Sequence, residues 1–421
     1  MGQSKLRVAM LSTGEEVLHG DITDTNAAWL SRRCFEEGFA LHRRVTVGDA
    51  VDDIAIELVR CSQVSDVVIV NGGLGPTTDD LTTEAMAMAM DVDLELNNHW
   101  LTELKARFEK NGKTMPKSNI KQAMLPEGAE LVDNPVGSAC GFAATLNDCL
   151  FFFTPGVPSE FKHMFDNEIV PRLQAGFPNT TKQEIQRLYT FGFSESLLND
   201  KLETLSLPNE FELGYRSSLP FIEVKLFSPR QHSDISLITD AIRNVLGDRL
   251  VGDGQPMLAS VGQLLEQSKM TISVAEKFSG GYLANWLNQA EPTKEAFVQG
   301  WVLSESSLVA DGDYNPLAAV LAMATASREN AGVDIGLACG NMEAGRVALG
   351  LSAADGDWGI VVKPRRSQTN ENFRCYTATM LLDMLRRYLC GYEMFPDIAS
   401  LVITESLHIP VDAGESASQS E

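Results

Sequence analysis

Between Ile69 and Ala85 the chain reads IVNGGLGPTTDDLTTEA: an apolar run, three glycines, then two adjacent carboxylates ahead of a helix-like segment. Gly72, Gly73 and Gly75 have no Cβ, so they tolerate positive φ and let backbone N–H groups approach a ligand closely. N–H groups ahead of a helix N-terminus form an anion site, and Thr77 and Thr78 add hydroxyl donors. Asp79 and Asp80 repel a bare phosphate. A hard divalent cation (Mg²⁺, Mn²⁺ or Co²⁺) between them and the phosphate turns that repulsion into bridging. Such a cation polarises phosphoryl oxygens and acidifies a bound water. Asp79 and Asp80 are therefore candidate catalytic and metal-binding residues. The plain alternative is that one of them caps the next helix, a contribution of about 1 kcal/mol. Short glycine motifs match often by chance, so the motif alone leaves both readings open.

Other polar residues fall near the same place in the chain. Glu15 and Asp24 follow the first apolar run and are candidates for further metal or ribose contacts, or are surface acids. The amides of Asn26 and Asn71 can hold a sugar hydroxyl or a phosphate, or close turns. In PKSNIKQA, Lys117 and Lys121 are four residues apart; on a helix they share one face. That face is a diphosphate clamp or an ordinary solvated surface, and Asn119 between the lysines joins the candidate substrate-binding set. Pro155, Gly156 and Pro158 shape a rigid loop after FFFT. The six histidines show no metal-ligand spacing, and His19 alone falls near the candidate site.

These residues need a scaffold that brings them together. LRVAML, DVVIVN and CLFFFT read as continuously apolar strands, and NAAWLSRRCFEE, DDIAIELVRCSQ and LTTEAMAMAMD read as helices between them. Alternating strands and helices of this kind predict a parallel sheet covered on both faces. Ligands in such sheets sit beyond the carboxyl ends of the strands. Both NGGLGPTTDD and TPGVPSE follow strands, so both belong on that rim. Residues 180–252 read as a small α+β unit and residues 256–395 as a further α/β unit. Residues 410–421 are small, polar and acidic, which predicts a disordered tail.

The totals exclude several function classes. The 421 residues suit two or three domains. The formal charge of -23 argues against nucleic-acid binding, since such a surface repels polyphosphate at long range. Seven cysteines at long spacings, with no CxxC, argue against a disulfide framework or structural zinc. No signal peptide and no apolar stretch long enough to span a membrane is visible, so the expectation is a cytoplasmic protein without membrane contact.

Taken together, STGEEVLHGDITDTNAAWL, VGD at 47–49, VNGGLGPTTDDLT, SNIKQA, NPVGSACGF and FFTPGVPSEF resemble the CinA family of competence/damage-inducible proteins. The resemblance is dense across residues 1–172. It implies a three-layer α/β/α first domain with a mainly parallel sheet, similar to the molybdopterin-binding fold, then a small linking domain and a deamidase-like third domain. It also implies metal-dependent ADP-ribose pyrophosphatase activity in the first domain, a small nucleotide substrate, and a homodimer. In full members the third domain is a nicotinamide mononucleotide (NMN) amidohydrolase whose loop resembles AESxTGG, with the serine as nucleophile. Here that loop is Ala275-Glu276-Lys277-Phe278-Ser279-Gly280-Gly281. Lys277 stands at the serine's place, and Ser279 falls at the family's threonine. Glu305, in GWVLSESS, stands where the family has a tyrosine, and GLACGNMEAG lacks the expected GIAGP. Loss of nucleophile and activating group together predicts a third domain silent in amide hydrolysis. Two further readings stay open: a binding protein that holds a nucleotide or pterin without turning it over, and a bifunctional enzyme that keeps amidohydrolase activity through Ser279.

Overall fold

The computed structural model describes residues 6–178, 180–304 and 315–411. The chain divides into two compact units, Met1–Glu184 and Ile185–Glu421.

In chain order the first unit comprises β1 (Val8–Thr13), α1 (Glu15–Leu18), α2 (Thr25–Glu36), β2 (Leu41–Val47), α3 (Val51–Val64), β3 (Val67–Asn71) and α4 (Thr82–Met90). It continues with β4 (Leu94–Leu96), α5 (Asn98–Lys110), a 3₁₀ segment over Lys117–Ala123, β5 (Met124–Pro126), β6 (Glu130–Val132) and β7 (Gly141–Leu146). It closes with β8 (Cys149–Thr154), α6 (Pro158–Met164), a π turn over Phe165–Ile169, and α7 (Val170–Gly176). The main sheet has the order β2-β1-β3-β8-β7-β6. Its first four strands are parallel, and β7 and β6 join antiparallel.

The continuous apolar runs have a direct cause. Along β1, Ala9 and Leu11 pack into one core with Ile54, Leu58, Ala85 and Trp100. Val8 and Met10 pack into the opposite core with Ala27, Leu30, Phe161 and Phe165. Successive side chains point to opposite faces, so a strand covered by helices on both sides has no polar face. The unit is thus three layers, with α3, α4 and α5 on one side and α2, α6 and α7 on the other.

The second unit begins with β9 (Gln183–Thr190, whose first two residues close the first unit), α8 (Glu195–Leu202), β10 (Glu212–Ser218), β11 (Phe221–Pro229), α9 (Ile235–Leu246) and β12 (Leu250–Asp253). These strands form a sheet of order β10-β11-β9-β12. Then follow α10 (Met257–Ser268), β13 (Ile272–Glu276), α11 (Tyr282–Leu287), α12 (Glu291–Ala296), β14 (Phe297–Val302), α13 (Pro316–Ala331), β15 (Ile335–Glu343), β16 (Arg346–Ala353), β17 (Gly356–Pro364), α14 (Asn370–Cys390) and β18 (Leu401–Pro410). Their six-stranded sheet runs β14-β13-β15-β16-β17-β18, parallel in its first three strands and antiparallel after them. The sheet extends past residue 395 through β18, and residue 410 is still in that strand; residues 412–421 and Glu305 lie outside the described residues. Within this unit, Asp383 on α14 is 1% exposed and receives Arg386 Nη2 and Arg387 Nε, each at 2.7 Å. Arg386 Nη2 also donates to Asp248 O at 2.6 Å, tying the smaller sheet's segment to α14.

Candidate functional site

In the first unit, a cleft of about 470 Å³ opens at the carboxyl ends of β1, β3 and β8. Ser12 and Thr13 line it from the end of β1, Asn71 from the end of β3, and Pro155 to Pro158 from the loop after β8. The glycine turn forms one wall. Gly72 has φ 113° and Gly73 φ 67°. A Cβ on Gly72 would lie 2.6 Å from Thr13 O, and one on Gly73 would meet Thr82 Oγ1 at 2.0 Å. Gly75 is needed for another reason: it does not use positive φ, but a Cβ there would sit 2.4 Å from Asp80 Oδ2.

Asp80 Oδ2 accepts the Thr77 N–H at 2.8 Å, and the Thr77 hydroxyl donates to it as well. This bond closes the loop on itself. Neither aspartate caps α4, contrary to the plain sequence reading: Leu81 occupies the N-cap without a side-chain bond, and the Thr82 N–H goes to Gly73 O.

The structure brings together Asp24, Asn26, Asn71, Gly72, Gly73, Gly75, Asp79, Asp80, Pro155 and Gly156. Thr77 and Thr78 are exposed beside the cleft and do not line it. The lysine clamp does not form. Lys117–Ala123 is a 3₁₀ helix, in which residues four apart are offset by about 120°. Lys117 is exposed outside the cleft. Lys121 Nζ is held by Glu84 Oε1 at 3.1 Å and Thr77 O at 3.3 Å, so it buttresses the glycine loop from behind. Asn119 is buried and supports the wall indirectly, donating to Gln122 Oε1 at 2.7 Å; Gln122 lines the cleft.

Glu15 is also outside the lining, and its neighbour Glu16 is inside. The Glu15 N–H donates to Asp49 Oδ2 at 3.0 Å, and its carboxylate pairs with His19 at 3.3 Å. Glu16, Asp49 and Glu160, none of them among the candidates chosen from the sequence, also line the cleft. The available signal was their position within stretches already singled out: GEE, VGD and GVPSE.

Six carboxylates line the cleft (Glu16, Asp24, Asp49, Asp79, Asp80 and Glu160), and none of its lining residues is Lys, Arg or His. Burial pushes the Asp49 carboxyl above its ordinary range; the Glu15 N–H opposes this, and Glu16, Glu15 and Asp79 add to it. Exposed Asp79 is held below the ordinary range by the neighbouring Thr77 side chain, a backbone N–H and Lys121. Asp24 is already committed: it caps α2 through the Ala27 N–H and accepts the Ser12 hydroxyl, both at 2.7 Å. Accordingly, the set Glu15, Asp24, Asp79 and Asp80 does not converge on one point. Among the described residues no three His, Cys, Asp or Glu side chains form a metal cage. The donors fit a different arrangement, a hydrated hard cation that reaches one or two carboxylates and carries its other ligands with it.

The third-domain positions stand elsewhere, after β13. Ser279 is 2% exposed, and Cys339, fully buried against it, has its thiol pushed up to about 12 by burial. Lys277 donates its N–H to Cys339 O at 2.9 Å. Glu276 is fully buried and accepts the N–H groups of Leu283 and Ala284 at 3.1 and 2.8 Å, so its carboxylate occupies the start of α11. Among the described residues no helix is long and apolar enough to cross a membrane.

Residues 9–175 match the family model described as "Probable molybdopterin binding domain". A "CinA-like protein" of Escherichia coli O9:H4 (strain HS) is 41% identical over 410 residues, covering 96% of this chain and 100% of the relative. The "NMN amidohydrolase-like protein YfaY" of Escherichia coli (strain K12) is similar to the same extent. A crystal structure of "the protein CinA with unknown function" from Thermoplasma acidophilum is 28% identical, with a TM-score of 0.37, over 41% of this chain and 99% of that one.

Proposed function

The chain belongs to the CinA-like protein family, and from that premise we propose that its first unit hydrolyses the diphosphate of ADP-ribose or a similar nucleotide with a divalent cation (Mg²⁺, Mn²⁺ or Co²⁺). The chain then acts in recycling pyridine nucleotides, as a homodimer. The observation that carries this reading is the cleft itself: a positive-φ glycine turn beside Asp79 and Asp80, in a lining with six carboxylates and no basic side chain. Two like unit charges 4 Å apart near a protein surface repel by about 4 kcal/mol. A bare diphosphate is therefore disfavoured, whereas one that arrives with a cation is attracted. When bound, the cation would polarise phosphoryl oxygens and lower the pKa of a water.

The chain's own residues have separable parts. Exposed, ionised Asp79 offers a cation ligand at the mouth. Asp80, held by Thr77, keeps the glycine loop closed. Asp49, a lining carboxylate beside Glu16, is the group we assign to take a proton from an attacking water. The test is AMP release from ADP-ribose by the full chain, with and without each cation. Replacing both aspartates, Asp79→Asn with Asp80→Asn, is expected to lower the rate at least about 100-fold with unchanged far-UV circular dichroism. Undiminished cleavage in that variant overturns the assignment. Tight binding without turnover in the native chain leaves a nucleotide- or pterin-binding protein instead.

The second unit is not assigned the amide hydrolysis of NMN that a relative's name suggests. Lys277 stands at the nucleophile's position, and Ser279 is 2% exposed with its hydroxyl buried. Ammonia release from NMN that disappears on Ser279→Ala would reverse this.

A further inference from the structure

Asn26 uses one end of its amide and leaves the other idle. It lies in the first turn of α2, 7% exposed, on the cleft wall. Its Nδ2 donates to Asn71 Oδ1 at 2.9 Å and to Gly156 O at 2.7 Å. Asn71 is committed in the same sense, since its own Nδ2 donates to Pro155 O at 2.7 Å and to Thr154 Oγ1. Both partners of Asn26 Nδ2 are carbonyl oxygens, so turning the amide over would set oxygen against oxygen. The orientation is therefore fixed, and Asn26 Oδ1 is buried with no hydrogen-bond partner.

A buried carbonyl left unpaired is costly, and the surroundings do not satisfy it. The six cleft carboxylates are acceptors. The Ser12 hydroxyl is committed to Asp24, and the Thr13 hydroxyl lies 3.2 Å from that of Thr82. Asn26 lines the cleft, so a ligand that enters there can bring the missing donor. A phosphoryl oxygen has no hydrogen to give, whereas a sugar hydroxyl has one.

We infer that Asn26 is a specificity-determining residue: its Oδ1 accepts a ribose hydroxyl, so the cleft selects ribosyl over deoxyribosyl ligands. This rests on the nucleotide reading of the cleft but not on hydrolysis. Asn71 and Gly156 act through Asn26 as positioning groups that hold its carbonyl end free.

The test is calorimetric binding of α,β-methylene ADP-ribose, which cannot be cleaved at that bridge, to the full chain with Mg²⁺. The comparison set is the same compound lacking one ribose hydroxyl at a time, and its hypoxanthine analogue, which lacks the base amino group. Loss of one particular hydroxyl is expected to weaken binding to the native chain about tenfold or more. Asn26→Ala is expected to bind parent and deoxy compounds alike. Asn71→Ala, which removes one of the two anchors that orient Asn26 but leaves Oδ1, is expected to reduce the discrimination without abolishing it. Equal binding of all deoxy compounds by the native chain overturns the inference. So does discrimination that persists in Asn26→Ala, or a discrimination that tracks the base amino group instead. If the hydroxyl effect appears but ADP-ribose is never cleaved, only the hydrolase reading falls. Cleavage without the hydroxyl effect removes only this inference, and failure of the parent compound to bind removes both.

Discussion

Asp49 stands among groups that disfavour its ionised form. Burial raises its carboxyl, and Glu16, Glu15 and Asp79 raise it further, against the pull of the Glu15 N–H. A carboxyl raised in the native state binds its proton more tightly there than in the unfolded chain. Its stabilising contribution is therefore complete below the unfolded value, about 3.9, and is lost as pH rises through the native value. At neutral pH the charged group subtracts from stability. Asp49→Asn keeps an acceptor for the Glu15 N–H and removes the charge. It should stabilise the protein at pH 7 by about a few tenths of a kcal/mol, the scale of a partly exposed charge, and the gain should vanish at about pH 4 or below. Paired thermal melts at the two pH values measure this; identical shifts at both would remove the electrostatic explanation. A residue of this kind was hard to read in sequence. Glu15 and Glu16 are adjacent, and successive helical side chains are rotated by about 100°, so one enters the cleft and the other turns to the Asp49 N–H and His19. The register that decides between them is a property of the folded rim.

At the scale of elements, the glycine turn is held by space as much as by dihedral angle. Gly73 and Gly112 have nearly equal φ, 67° and 66°, yet a Cβ on Gly73 meets Thr82 Oγ1 at 2.0 Å and one on Gly112 meets nothing within 4 Å. Both Ala variants carry the left-handed backbone cost of about 1–2 kcal/mol. Gly73→Ala adds a clash that forces the loop off Thr82. It should cost about 2–4 kcal/mol in all and abolish nucleotide binding, while Gly112→Ala should cost only the backbone share and bind normally. Urea titrations with parallel calorimetry decide it, and equal losses in the two variants would show that shape at Gly73 does not matter. The same scale shows why sequence served well for some elements and poorly for others. The strands β1, β3 and β8 are apolar on both faces because both faces are covered, so their runs stand out. Lys117 and Lys121 misled because helical spacing was assumed where the chain winds as a 3₁₀ segment. Asp79 and Asp80 looked like caps because an acidic pair before a helix usually is one; here Asp80 is committed to Thr77 within its own loop.

At the scale of the whole molecule, the charge of -23 was plain in the sequence, whereas the absence of any basic side chain from the cleft was not. The two together set a salt dependence opposite to that of most phosphate-binding proteins. Where lysines and arginines neutralise phosphates, added salt weakens binding by competing for them. Here a nucleotide diphosphate without a divalent cation approaches a negative protein and a negative cleft, so screening should help it. The Debye length falls from about 30 Å at 0.01 M to about 8 Å at 0.15 M ionic strength, which removes most long-range repulsion. Affinity for α,β-methylene ADP-ribose in the presence of EDTA should therefore rise several-fold between those two conditions. With saturating Mg²⁺ the ligand enters nearly neutralised, and the dependence should flatten. Calorimetry of the full chain at the two ionic strengths, with and without Mg²⁺, measures all four values. Affinity that falls with salt in EDTA would mean that a basic group reaches the diphosphate after all, and the requirement for a cation would lose its electrostatic basis.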